Sequence, residues 1–193
     1  MRVAVISDLH IDFSDLTLPG GDVLILSGDV MEARHFKKDM YNPEMVLLEH
    51  ERKDQRPDRF FRFIEEECSK KYREIVYVMG NHEHYSGDFA KGRQRFEDFC
   101  SAHAITNITL LEKDTVRIDG YEFIGGTLWT DFNDMDSYTM FHAEQAMNDY
   151  KGVKNTNDTV SWKFLPKHAL RDHCEMRGYL QTCMDNYKEI WNI

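Results

Sequence analysis

The sequence predicts an α/β fold, a sheet flanked by helices, and three observations carry that expectation. Val3 to Ile6, Val23 to Leu26 and Ile75 to Met79 are short runs rich in β-branched and aromatic residues, the signature of buried strands. Each stops abruptly in polar residues: Ser7-Asp8-Leu9-His10, Ser27-Gly28-Asp29 and Gly80-Asn81-His82-Glu83-His84. Stretches with apolar residues every three or four positions stand between or after them and read as helices. If the strands are neighbours in one sheet, their carboxyl ends converge on a single crevice, where open α/β sheets bind ligands.

Taken in order, Met1 to His10 is strand then loop, and Pro19-Gly20-Gly21 is a turn before the strand Asp22 to Leu26. About a dozen residues separate these strands, short for a helical crossover and suited to a tight connection within one sheet. Met31 to Pro57 is highly charged and reads either as a solvated helix and loop or as a flap over the crevice. Arg59 to Lys71 carries Phe60, Phe61, Ile64 and Cys68 at helical spacing, with Glu65 to Glu67 facing water, and leads as a crossover into the Ile75 strand. Phe89 to Ser101 is a second amphipathic helix, its apolar side Phe89, Phe96, Phe99 and Cys100. Ile108 to Leu111, Thr115 to Ile118 and Tyr121 to Ile124 are short strands, the last two a hairpin about Asp119-Gly120. Gly125-Gly126 lacks the spacing and the following Lys of a phosphate-cradling loop. Ser137 to Asp158 reads as irregular and polar. Trp162 to Pro166 opens a final helix, whose stripe of Leu170, Met176, Leu180, Cys183, Tyr187 and Ile190 is a core face.

The 193 residues suit one domain, 1–193, with no internal repeat or linker. A composition of 41% hydrophobic and 30% charged residues is neither disordered nor membranous. No apolar run approaches the roughly 20 residues of a bilayer span, and the N-terminus lacks the pattern of a signal peptide. The expectation is a cytoplasmic protein with no membrane partner. Cys68, Cys100, Cys174 and Cys183 show no C-x-x-C spacing and read as reduced, mostly buried thiols. A net charge of −10 and a pI near 5.3 argue against binding nucleic acid through a basic face, leaving it only as a substrate. Bound divalent ions would reverse the potential locally, where Asp8 and Asp29 sit.

Asp8-x-His10, Gly28-Asp29 and Gly80-Asn81-His82-Glu83 resemble, in order and spacing, the first three motifs of the calcineurin-like metallophosphoesterase superfamily. Gly126-Thr127-Leu128-Trp129-Thr130-Asp131-Phe132 resembles its bacterial and phage members. The resemblance implies an αββα sandwich, a mixed sheet with flanking helices, and metal-dependent hydrolysis of a phosphomonoester or phosphodiester. It implies two divalent ions, Mn²⁺ first, with Fe, Zn²⁺ or Mg²⁺ as alternatives, and attack by hydroxide formed on them. Such ions sit about 3.5–4 Å apart, and a shared carboxylate holds that separation. Asp29 is the candidate bridge and a catalytic residue, Asp8 and His10 reach one ion, and Asn81 offers the second a neutral carbonyl oxygen. Gly28 and Gly80 let the backbone turn beside the ions without a Cβ in the way. By the resemblance His82 is the general acid for the leaving group, a role that suits the ordinary pKa of histidine. Glu83 either orients His82 or caps the following turn, and His84 and Tyr85 shape the pocket wall.

Members of that superfamily continue, after a helix like Leu165 to Trp191, into a strand ending in histidine and a Gly-His-x-His motif that supply further ligands. By that pattern the first ion lacks one ligand here, and the second keeps only Asp29 and Asn81. His142, His168 and His173, like His35, His50 and His103, read as structural or solvent-facing rather than as replacements. The alternative function is an incomplete or non-catalytic subunit that binds metal weakly. It would form a homo-oligomer or pair with a complementing polypeptide that covers open sheet surface.

Overall fold

A computed structural model describes residues 1–36 and 56–191 of the chain. Four parallel strands form the central sheet in sequence order: β1 (Val3–Ile6), β2 (Gly21–Ser27), β3 (Tyr72–Val78) and β4 (Ile108–Leu110). The register pairs Val3 with Val23, Leu24 with Ile75 and Ile75 with Ile108, so the carboxyl ends of β1, β2 and β3 finish side by side. β5 (Asp114–Ile118) and β6 (Tyr121–Gly125) form a separate antiparallel hairpin. Its turn places Asp119 and Gly120 at φ of 50° and 82°, the two left-handed residues that a type I′ turn requires. The parallel and antiparallel pairing expected of a mixed sheet is thus divided between two sheets.

Both faces of the central strands β2 and β3 are covered, which is why these two read as continuous apolar runs. Leu24, Leu26, Ile75 and Tyr77 face helix α1 (Arg56–Arg62) and helix α2 (Gly92–Ala102), packing among Phe60, Phe61, Ile64, Phe96 and Phe99. On the opposite face Val23 and Val76 lie beneath Ile118 and Phe123 of the hairpin. The hairpin does not shelter the outermost strand, where Val3 and Val5 remain 42% and 65% exposed.

The crossover between β2 and β3 departs from a plain helix. α1 passes into a π-helical segment, Phe63–Ser69, and Lys70 N donates to Glu65 O at 3.0 Å, five residues back. Cys68 and Ile64 still reach the core, and only Glu66 of the three consecutive glutamates is exposed. Glu67 accepts from Leu18 N and from Lys71 Nζ, both at 2.6 Å, pinning the loop before β2. The charged stretch considered as a flap, with His50 in it, falls for the most part on residues 37–55, outside the described residues.

After the hairpin, Phe132–Met135 forms a short turn whose four residues all have positive φ, 55–63°. The segment expected to be irregular instead begins with α3, Ser137–Ala146. That helix has no buried residue, so no apolar stripe announces it. It starts at Asp136, whose side chain accepts from Thr139 N at 2.7 Å, a cap worth about 1 kcal/mol. A four-residue helix, α4 (Asp149–Gly152), and the long α5 (Pro166–Trp191) complete the fold. Tyr150, Val153, Phe164 and Phe132 make a second small core, packed against Tyr85 and Trp129. Of the expected stripe on α5 Met176 is buried, Leu170, Leu180, Cys183 and Tyr187 are half-buried, and the surroundings of Ile190 lie outside the described residues. Two of the four thiols, Cys68 and Cys100, are buried, and Cys174 is exposed. No helix among the described residues is long and apolar enough to cross a membrane.

Candidate metal centre

The loops leaving β1 and β2 extend the strand pairing beyond the sheet. Asp8 N donates to Gly28 O at 3.1 Å, His10 N to Asp29 O at 3.0 Å and Ile11 N to Val30 O at 3.0 Å. Asp8, His10 and Asp29 all adopt positive φ, 55°, 43° and 54°, a conformation that costs non-glycine residues energy and is concentrated at functional sites. The ligand atoms of these three side chains lie within 4.8 Å of one another, with His10 Nε2 4.0 Å from Asp29 Oδ2. Donors about 2.0–2.2 Å from a shared cation are spaced this closely, so two carboxylates and one imidazole fit a hard or borderline divalent ion.

Glycines set how close the second and third loops come. Gly28 has φ of +87°, and a Cβ there would lie 2.7 Å from Gly80 N. A Cβ on Gly80 would fall 2.1 Å from Asp29 Oδ1. Asp29 Oδ1 in turn accepts from His82 N at 2.9 Å, which leaves Oδ2 to face His10.

Glu83 does neither of the things the sequence suggested for it. Its carboxylate is fully buried and accepts from Asp29 N (3.0 Å), Val30 N (2.7 Å), Gly80 N (2.8 Å) and Tyr77 Oη (2.7 Å). It fastens the end of β2 to the end of β3 and so fixes Asp29 through its backbone. Burial, with the charge of Asp29 adding to it, raises the Glu83 pKa against the pull of the Tyr77, Val30 and Gly80 donors.

His82 is oriented by a residue that sequence reasoning did not single out. Its Nε2 lies 2.8 Å from Asp12 Oδ2, and its ring meets that of His10 edge-on at 4.5 Å. Asp12 sits two residues beyond His10, continuing the alternation of Asp8 and His10, and that alternation was the available signal. Arg59 of α1 holds this loop by donating to the carbonyls of Ile11, at 3.2 Å, and Asp12. Burial alone would lower the His82 pKa; the hydrogen bond and charge of Asp12 outweigh it, and the net shift is upward. Burial likewise acts to raise Asp12, but His82 prevails and holds it below the usual carboxylate range. His10, Asp12 and His82 form a second group of ligand atoms within 4.8 Å, so the two cation-sized groups share His10.

Asn81, the residue before His82, has its amide Nδ2 3.1 Å from Tyr85 Oη, which itself lies 3.3 Å from Asp149 Oδ2. Burial, with Asp149 adding to it, pushes the Tyr85 phenol up to about 12. A cavity of about 880 Å³ begins at Gly80, Asn81 and Asp149 and runs between Val78, Ile124 and Met176.

The downstream histidines are occupied elsewhere. His168 Nδ1 accepts from Leu165 N at 2.9 Å and its Nε2 meets Asp158 Oδ2 at 2.8 Å, closing the start of α5. His173 Nδ1 bonds Trp129 O at 2.6 Å, and exposed His142 packs on Tyr138 with ring centroids 4.2 Å apart. His84 is buried against Phe89 and Trp129, and burial lowers its pKa to about 4. Among the described residues, none of these histidines joins a group spaced to hold an ion.

A parallel sheet whose first three strands bring Asp8, His10, Asp29 and His82 together at their carboxyl ends defines a candidate metallohydrolase. Residues 1–188 match the family model of the calcineurin-like phosphoesterases, and the chain belongs to that family. It is 27% identical to the uncharacterized protein L509 of Acanthamoeba polyphaga mimivirus, over 94% of this chain and 62% of that protein. It is 26% identical to the UPF0046 protein K07C11.7 of Caenorhabditis elegans, over 100% of this chain and 60% of that one. The chain therefore spans about three fifths of the length of these curated relatives.

Proposed function

We propose that this chain is a metal-dependent phosphoesterase that hydrolyses a phosphomonoester or phosphodiester. The observation that carries the reading is the convergence of Asp8, His10 and Asp29 from separate strand ends, with donor atoms within 4.8 Å. Asp8, His10 and Asp29 hold one divalent ion, and Asp29 with Asn81 holds a second. Carboxylates with a single imidazole suit Mn²⁺ first, then Fe, Zn²⁺ or Mg²⁺. When bound, such ions supply Lewis-acid polarisation of the phosphoryl group and an activated water. The remaining chemistry belongs to side chains. Asn81 adds a ligand without adding negative charge, which keeps the crevice open to an anionic ester in a chain of net charge −10. His82 delivers a proton to the departing oxygen, and its hydrogen bond to Asp12 favours the protonated ring that this role requires. We take the cytoplasm as the compartment.

The test is turnover of p-nitrophenyl phosphate and bis(p-nitrophenyl) phosphate with added Mn²⁺, alongside metal content by mass spectrometry. The proposal expects turnover that chelation removes and that Asp29→Ala and His82→Ala abolish. Absence of turnover with every divalent metal tried would refute it.

A second reading is favoured by the uncovered face of β1. Val3 and Val5 leave apolar sheet surface exposed beside the hairpin. In this reading the chain is an incomplete, weakly metal-binding subunit whose open face is covered by another polypeptide or by a second copy. Under-stoichiometric metal without turnover, together with a concentration-dependent rise in mass by light scattering, would favour it.

A further inference from the structure

A side-chain amide has two unlike ends, a carbonyl oxygen that binds a cation and an NH₂ that cannot, and the bonds made by one end decide where the other points. Asn81 Nδ2 lies 3.1 Å from Tyr85 Oη, and Tyr85 Oη lies 3.3 Å from Asp149 Oδ2. A carboxylate only accepts, so the phenol proton is directed at Asp149. The phenol oxygen is then left as an acceptor, and the amide end it can receive is the NH₂ of Asn81. Donation along the chain is set from its far end, and the Asn81 carbonyl oxygen is turned away from Tyr85.

Asp149 is built for such a task rather than for solvation. It is 2% exposed, and its second oxygen is buried with no hydrogen-bond partner. A carboxylate in that position is costly to keep, and each such group in a native fold calls for an explanation. The next residue, Tyr150, is clamped in the second core beside Phe132 and Phe164, which fixes where Asp149 stands.

We propose that Asp149 and Tyr85 are positioning residues that hold the Asn81 amide with its carbonyl oxygen presented to the second cation. The proposal rests on the reading of Asn81 as a ligand and adds what makes the amide a competent one. In this role both residues act through Asn81.

The test is a calorimetric titration of the metal-free chain with Mn²⁺, checked by electron paramagnetic resonance, on Tyr85→Phe, Asp149→Ala and the isosteric Asp149→Asn. Thermal melts confirm that each variant folds. The second Mn²⁺ is expected to bind about 10- to 100-fold more weakly in Tyr85→Phe and Asp149→Ala, the usual loss on removing an outer-shell partner. The first is expected to stay unchanged within about twofold, the small effect expected of a change outside its own ligand shell. Asn81→Asp supplies the control, because a carboxylate has no wrong end. In that background Tyr85→Phe should cost less than about threefold, well under the loss expected beside Asn81. An equal loss in the Asn81→Asp background would assign the effect to packing and overturn the proposal, as would unchanged affinity in all three variants. Wild-type protein that binds one ion removes the proposal and leaves the site of Asp8, His10 and Asp29 standing. Wild-type protein that binds none removes both.

Discussion

His82 and Asp12 form a hydrogen-bonded pair, Nε2 to Oδ2 at 2.8 Å, in which each holds the other charged against the pull of burial. The upward shift of His82 means that the fold binds its proton more tightly than the unfolded chain does. Its contribution to stability is fully present below the unfolded value of about 6.5 and is lost as pH rises through the higher folded value. The lowered pKa of Asp12 works in the opposite sense, its contribution being present above about 3.9 and lost as pH falls through the folded value. The pair therefore stabilises most between roughly pH 4 and 6.5. Asp12→Asn should lower the His82 midpoint followed by NMR of the ring protons in the metal-free protein. It should also cost about 1.5–3 kcal/mol in that window, the range for a hydrogen bond to a charged group. An unmoved midpoint would mean that Asp12 does not govern His82.

Removing Glu83 strips acceptors from three backbone N–H groups and the Tyr77 phenol at once. Glu83→Ala is expected to lose about 3 kcal/mol or more by urea denaturation, because buried donors left unpaired cost about 1–3 kcal/mol each. Glu83→Gln should lose less, since its amide oxygen still accepts. If Glu83→Ala unfolds at the wild-type midpoint, the clamp between β2 and β3 is not what holds Asp29.

Gly80→Ala places a methyl group 2.1 Å from Asp29 Oδ1, so that side chain must move. Mn²⁺ affinity is expected to fall about tenfold or more, as misplacing a group that orders a ligand does elsewhere. Titration calorimetry checks this, and wild-type affinity would show that Asp29 moves without consequence for the ion.

His168→Ala should behave differently. It deletes the bonds to Leu165 N and Asp158, so a loss of about 1 kcal/mol is expected from a capping contact, with Mn²⁺ affinity unchanged. A matching loss of metal would restore His168 as a replacement ligand.

Much of this architecture is legible in the chain because its signals are local. β-branched runs ending in Gly, Asp, Asn and His mark β1, β2 and β3 together with the loops that follow them, and Asp8, His10 and Asp29 meet where those ends were expected to converge. Gly28 and Gly80 are needed for close backbone approach, as their spacing beside the polar residues suggested. The features that escaped are those decided by distant partners or by a single cap. Glu83 was expected to orient His82 or cap the following turn, because glutamate is seldom buried and only the facing ends of β2 and β3 give it donors. Asp149 meets Tyr85 across 64 residues of chain, a juxtaposition no motif encodes. α3 rests on the Asp136 cap and only partly covers Met140 and Ala143, so periodicity had no clear stripe to find.

The account stands on a cation held by Asp8, His10 and Asp29, and calorimetric titration of metal-free protein with Mn²⁺ tests it most directly. Wild-type chain should bind with an affinity that drops at least about tenfold in Asp29→Ala and similarly in Asp8→Asn and His10→Ala, since losing even an outer-shell partner costs about 10- to 100-fold. Equal binding by wild-type and Asp29→Ala protein, or no binding by either at millimolar Mn²⁺, would contradict it.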